Sequence, residues 1–168
     1  MSTPCRSISH RLNHSPRYIN PLFSRSLLCR QQSRQFRIYP AKMSSGLTPI
    51  LAKDACPPAG PYSQAIKAAG QIWVAGQIPA DSTGKLVEGS IADKTEQCCK
   101  NIKAILEAGG SEMGKVVRAG VFLSDMKHFG EMNAMYEKYF SHKPARTCVA
   151  VRELPKGVDV EIEAIALQ

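Results

Sequence analysis

The sequence predicts an α+β fold, a single β-sheet with both helices packed on one of its faces. Three observations carry that prediction. Near the C-terminus, Val158, Val160, Ile162 and Ala164 alternate with Asp159, Glu161 and Glu163, the period-two pattern of a strand with one apolar face. From Ile91 to Ala108 the apolar positions Ile91, Thr95, Cys98, Cys99, Ile102, Ile105 and Leu106 recur at helical spacing instead. Strand-like and helix-like stretches then follow one another in the order β(β)β–α–β–α–β–β, with no repeat and one domain's worth of chain.

Charge divides the 168 residues in two. Eight of the 22 basic residues and none of the 14 acidic ones fall in residues 1–42, so residues 43–168 carry 14 of each. The net charge of +8 therefore belongs to the leader, not to the domain. That leader is rich in Arg and Ser, free of acids, and scattered with Leu22, Phe23, Leu27 and Leu28. Such a composition is expected of a mitochondrial transit peptide, with cleavage between Phe36 and Ser45. A basic arm touching nucleic acid is the rival reading. Met43 offers a second start that would leave a cytosolic form. No apolar run approaches the roughly 20 residues of a membrane span.

The elements of residues 43–168 follow in order. Thr48–Leu51 reads as a short edge strand. Pro57, Pro58 and Pro61 stiffen the loop that presents Tyr62. Ala65–Ala69 and Gln71–Ala75 flank Gly70 as a hairpin, with Trp73 and Val74 expected in the core. Gly76-Gln77-Ile78-Pro79 ends the strand, Asp81–Gly84 turns, and Ser90 caps the helix Ile91–Ala108, which Gly109-Gly110 stops. Val116–Ser124 reads as a buried strand. Ser124 or Asp125 caps a second helix, Phe129–Phe140, whose Met132, Met135, Tyr136, Tyr139 and Phe140 form a core stripe. Of six cysteines, Cys5 and Cys29 lie in the leader; Cys56, Cys98, Cys99 and Cys148 show no metal-ligand spacing, and neither do His128 and His142.

Chemistry concentrates at Pro144-Ala145-Arg146-Thr147-Cys148-Val149-Ala150-Val151. A guanidinium on a mostly apolar strand is either a snorkelling end residue or a planar fork for a carboxylate. The turn Leu154–Gly157 joins this strand to the Glu161 strand, an arrangement expected to bring Arg146 near a carboxylate. Glu161 and Glu163 share a strand face, so spacing alone does not choose between them. Cys148 is open to two readings, a thiolate stabilised by Arg146 or a small pocket-lining hydrophobe. No GxGxxG, P-loop, nucleophile elbow or HExxH is present.

From about Leu47 to Leu167 the chain resembles the RidA (YjgF) family of reactive-intermediate imine deaminases, its mitochondrial branch in particular. The resemblance rests on Gly60-Pro61-Tyr62-Ser63-Gln64, Gly76-Gln77-Ile78-Pro79, Asn101-Ile102-Lys103-Ala104-Ile105-Leu106 and Asn133-Ala134-Met135-Tyr136, and most of all on Pro144–Val149 followed by Val160–Ala164. It implies a chorismate-mutase-like fold and a homotrimer with its sites between subunits. It also implies hydrolysis of 2-aminoacrylate, 2-aminocrotonate and related imino acids to 2-keto acids and ammonia, without cofactor or metal, protecting isoleucine metabolism. By that resemblance Arg146 binds the substrate carboxylate and Glu161 positions or activates water. Tyr62, Gly76, Asn133 and Cys148 line the site. Ala75 replaces a serine common in the family and removes one hydroxyl contact. Two other classes compete: an RNA-directed endoribonuclease or translation inhibitor, against which the neutral domain argues, and a non-catalytic ligand-binding or chaperone trimer.

Overall fold

The structure, a computed structural model, describes residues 46–168. The expected transit peptide, its cleavage region and the Met43 start lie outside them. Six strands form one sheet in the order β1-β2-β3-β6-β4-β5. These are β1 (Thr48–Ile50), β2 (Ala65–Ala68), β3 (Gln71–Gln77), β4 (Val116–Leu123), β5 (Ala145–Ala150) and β6 (Val160–Leu167). All neighbours run antiparallel except β4 and β5, which are parallel because the helix α2 (Phe129–Tyr139) connects them.

The long helix α1 (Ile91–Ala108) forms where its local signals place it. The Ser90 side chain accepts from the Asp93 N–H and the Asp93 carboxylate accepts from the Ser90 N–H, a reciprocal cap worth about 1 kcal/mol. At the other end the backbone turns left-handed at Gly110, φ +81°. Its buried face carries the seven expected residues and one that spacing did not single out, Asn101. The Asn101 amide donates to the Ile78 and Ala80 carbonyls, fastening the segment after β3 to the helix. Gln64 does the same for the proline loop: its amide accepts from the Ala52 N–H and donates to the Ala52 and Cys56 carbonyls. Two polar side chains of the family-like motifs are thus structural clamps, each fully bonded where it is buried.

Both helices cover one face of the sheet. Ile72 and Val74 of β3, Ala119, Val121 and Leu123 of β4, and Val160, Ile162, Ala164 and Ala166 of β6 meet Cys98, Cys99, Ile102, Ile105, Leu106, Met132, Tyr136 and Phe140 there. The opposite face has no helix among the described residues. Trp73, expected in the core, pairs with Ile66 and Ile165 on that open face and is 49% exposed. Val117 and Val149 are exposed as well. Asp125 caps not α2 but the single 3₁₀ turn Met126–His128 before it, so the second helix starts without a side-chain cap.

One expectation is overturned by the strand order. The Arg146 and Glu161 strands are consecutive in sequence but not neighbours, because β4 lies between them. The connection from β5 passes through the 3₁₀ turn Pro155–Gly157 and crosses over β4 before β6 begins.

Candidate active site

Arg146 is on the edge strand β5, in register with Ala119 of β4, whose side chain faces the helices. It therefore reaches toward α2. Its Nη1 donates to the Asn133 Oδ1 at 2.7 Å, and its guanidinium carbon lies 4.7 Å from the Tyr136 ring centroid and 5.7 Å from that of Phe129. An amide oxygen and two aromatic faces hold the fork without neutralising it, and no carboxylate of the described residues forms an ion pair with it. Asn133 thus positions Arg146. Tyr136 and Phe129 form a platform that sequence reading assigned to core or passed over. Tyr136 is indeed buried, and its helical spacing gave no sign of the guanidinium above it. Burial pushes the Tyr136 phenol up to about 12, against the pull of Arg146, so it stays protonated at neutral pH. Its hydroxyl is buried without a hydrogen-bond partner.

Cys148, two residues along β5, points the same way and packs against the core. Burial raises its thiol more than Arg146 lowers it. Of the two readings open for Cys148, this favours the protonated, space-filling thiol. Together α2, the turn before β5 and Arg146 border a concavity of about 370 Å³.

The carboxylate side lies elsewhere. Glu161 is in register with Phe122 of β4, whose neighbours Val121 and Leu123 face the core. Its side chain consequently projects from the open face of the sheet, opposite to Arg146. It folds across β3 at Gly76, within a bulge between Val74 and Gln77. A β-carbon on Gly76 would fall 2.8 Å from the Glu161 carboxyl carbon, so a larger residue there would push the Glu161 side chain aside. Glu163 turns the other way, over Gly120, and meets Arg118 Nη1 at 3.4 Å. The two acids, equivalent by spacing, differ in their neighbours: Glu163 is ion-paired with Arg118, whereas Glu161 has no ion-pair partner among the described residues. Desolvation, and secondarily the charge of Glu163, holds the Glu161 carboxyl above its ordinary value.

The loop of Tyr62 leads into β2, beside β3. The Ala75 N–H donates to the Gln64 carbonyl at 2.9 Å, extending the β2–β3 pairing toward Tyr62 and placing its loop at the Gly76 end of the sheet. The Tyr62 hydroxyl accepts from the Ala59 N–H at 3.1 Å, and the ring is half exposed. Ala75 offers a methyl group, and its N–H is already engaged. One chain therefore places Arg146, Asn133, Tyr136 and Cys148 together on the helix face, and Glu161 beside Gly76 on the open face. Among the described residues no group of three His, Cys, Asp or Glu side chains is placed to hold a metal ion, and no helix is long and apolar enough to cross a membrane.

One helix-backed α+β sheet thus carries a guanidinium with no ion-pair partner among the described residues and a carboxyl raised by desolvation. The family model described as Endoribonuclease L-PSP matches residues 52–168, and the chain belongs to that family, the RidA (YjgF) family, with its chorismate-mutase-like fold. Protein HMF1 of Saccharomyces cerevisiae is 52% identical over 127 residues, 75% of this chain and 98% of its own. "Protein MMF1, mitochondrial" of the same yeast is 49% identical over 123 residues, 73% of this chain and 85% of its own. The crystal structure of yeast Mmf1 superimposes with a TM-score of 0.71, covering 73% of this chain and 98% of that one. The mouse 2-iminobutanoate/2-iminopropanoate deaminase is 42% identical over 129 residues, 75% of this chain and 96% of its own.

Proposed function

We propose that the protein hydrolyses small 2-imino acids and their enamine tautomers, 2-aminoacrylate and 2-aminocrotonate, to 2-keto acids and ammonia. The observation that carries this reading is the Arg146 fork, fixed by Asn133 and two rings yet left without an anionic partner. A bidentate carboxylate completes such a fork and contributes roughly 1.5–3 kcal/mol. Arg146 then holds the one permanent charge of an imino acid and fixes the position of its C2. Water adds to C2 of the iminium as Glu161 takes its proton; that proton passes to the carbinolamine nitrogen, and the C2–N bond breaks to release ammonia as the new hydroxyl gives up its proton and becomes the keto oxygen. A carboxyl raised by desolvation is a better proton acceptor than an ordinary one, a contribution on the order of 10²–10⁴-fold. Tyr62, Gly76, Asn133 and Cys148 shape the site. No cofactor is needed, since a protonated imine carbon is already electrophilic.

The opposed half-sites favour assembly. A homotrimer that lays the open face of one subunit against the β5 edge of the next would bring Glu161 to the partner's substrate and cover Trp73 and Val149. We also assign residues 1–42 as a mitochondrial transit peptide, residues 43–168 as the deaminase domain, and the matrix as the place of action, with a cytosolic form starting at Met43. There the enzyme would clear intermediates shed by pyridoxal-phosphate dehydratases and spare isoleucine metabolism. The mitochondrial name of the yeast relative supports that location. RNA cleavage, which the family model's description mentions, finds little support in a stretch with equal numbers of acids and bases.

The test couples the protein to a serine/threonine dehydratase and follows 2-keto acid appearance. Acceleration by the wild type that Arg146→Ala weakens at least about tenfold supports imine hydrolysis. No acceleration by the wild type overturns it in favour of a ligand-binding trimer.

A further inference from the structure

A second cation lines the Arg146 concavity. Lys143 ends the turn between α2 and β5, its N–H donating to the Phe140 carbonyl at 2.9 Å, and its φ of +54° lies in the left-handed region. That conformation suits glycine or asparagine and disfavours a lysine. The lysine borders the concavity beside Asn133, Tyr136 and Arg146. Lys156 shares the backbone conformation but lines no part of that concavity. Neither Lys143 nor Glu137, the one acidic residue on the same wall, forms an ion pair among the described residues. Two basic residues and one acidic residue thus border a space of about 370 Å³, more than a three-carbon acid anchored on Arg146 requires.

We propose that the site takes 2-imino dicarboxylic acids, with the α-carboxylate on Arg146 and the distal carboxylate on Lys143. This rests on the imine-hydrolase reading above and names its substrate class. The chemistry is unchanged: water adds to C2, the C2–N bond breaks, ammonia leaves, and both carboxylates are spectators. Glu137 works against the second carboxylate, so the two residues set the preference in opposite directions.

The experiment uses the full chain and two imines made in place by amino-acid oxidases, iminosuccinate from aspartate and 2-iminopropanoate from alanine. The readout is the ratio of their kcat/KM values, measured above spontaneous hydrolysis. Expected is a wild-type ratio above one that falls about tenfold in Lys143→Met, as loss of one charge-assisted contact would give. Lys143→Arg should keep the ratio, and Glu137→Gln should raise it. A wild type that hydrolyses 2-iminopropanoate but not iminosuccinate, or a ratio that Lys143→Met leaves unchanged, overturns the dicarboxylate inference while the deaminase reading stands. Acceleration of neither imine overturns both.

Discussion

The two faces of the sheet solve opposite electrostatic problems. On the helix face a cation that would be costly to strip of water is kept usable by rings and an amide oxygen, which bind it without cancelling its charge. On the open face a carboxyl is laid over a glycine, partly desolvated, beside a second acid that Arg118 already occupies. In the proposed function one half binds and the other accepts a proton. Because they face away from each other within a chain, the comparison teaches that binding and proton transfer can be lost separately.

The largest effect is expected on the open face. Glu161→Gln should lower kcat on 2-iminopropanoate by roughly 10²–10⁴-fold with little change in KM. Glu163→Gln should do far less, because its carboxylate belongs to Arg118. The pH profile sharpens the same point. A base must be ionised to act, so activity should rise with pH through the Glu161 pKa, and that rise should fall above the ordinary carboxylate value. Next in size, Arg146→Ala should cost roughly 10–150-fold in kcat/KM, chiefly through KM, as loss of a charge-assisted anchor requires. If the halves meet between copies, Arg146→Ala and Glu161→Gln chains unfolded and refolded together should recover activity that neither has alone. Persistent inactivity of the mixture would overturn a site shared between copies.

Glycine substitutions separate the halves more gently. Gly76→Ala puts a methyl group onto the Glu161 side chain, and Gly120→Ala puts one 2.6 Å from the Glu163 Oε1. Both should destabilise by about 1–3 kcal/mol in denaturation experiments. Only the first should also depress kcat, by roughly tenfold, since it displaces the proton acceptor. Equal kcat losses in the two variants would mean that Glu161 placement is not the point of Gly76.

Local signals made much of this legible. The boundaries of α1 follow from Ser90, Asp93 and the Gly109-Gly110 pair, all within a few residues of the ends they define. The β6 alternation found its core face correctly, because period two needs no knowledge of neighbours. What escaped is what neighbours decide. Glu161 and Glu163 are equivalent along their own strand and differ only through Gly76 on β3 and Arg118 on β4. Arg146 was expected near the carboxylate strand, but the helical connection makes β5 an edge strand parallel to β4. Trp73 follows the composition of a core residue yet pairs across the open face, where only another surface could bury it. Asn133 shows no sign along its own helix of the contact it makes, which becomes visible only with Arg146 beside it.

The smallest expected effect concerns stability, and here the open face contrasts with an ordinary ion pair. Lys94 Nζ meets Asp159 Oδ2 at 2.6 Å, and this bond holds the Asp159 carboxyl below its ordinary value of 3.8. Such a group stabilises the fold above the unfolded pKa, and the contribution is lost as pH falls through the folded one. Asp159→Asn should therefore lower stability at neutral pH, with the gap to wild type closing in acid. Glu161 has the opposite sign. Its folded pKa lies above the ordinary 4.5, so ionising it costs stability as pH rises from that value through the raised one. Glu161→Gln should make the protein more resistant to urea at neutral pH, by a margin that vanishes once the wild-type carboxyl is protonated. Urea midpoints at neutral pH and at about pH 4 decide the matter. A Glu161→Gln variant less stable than wild type at neutral pH would mean that the carboxylate has an unrecognised partner, and the case for a free proton acceptor on the open face would fall with it.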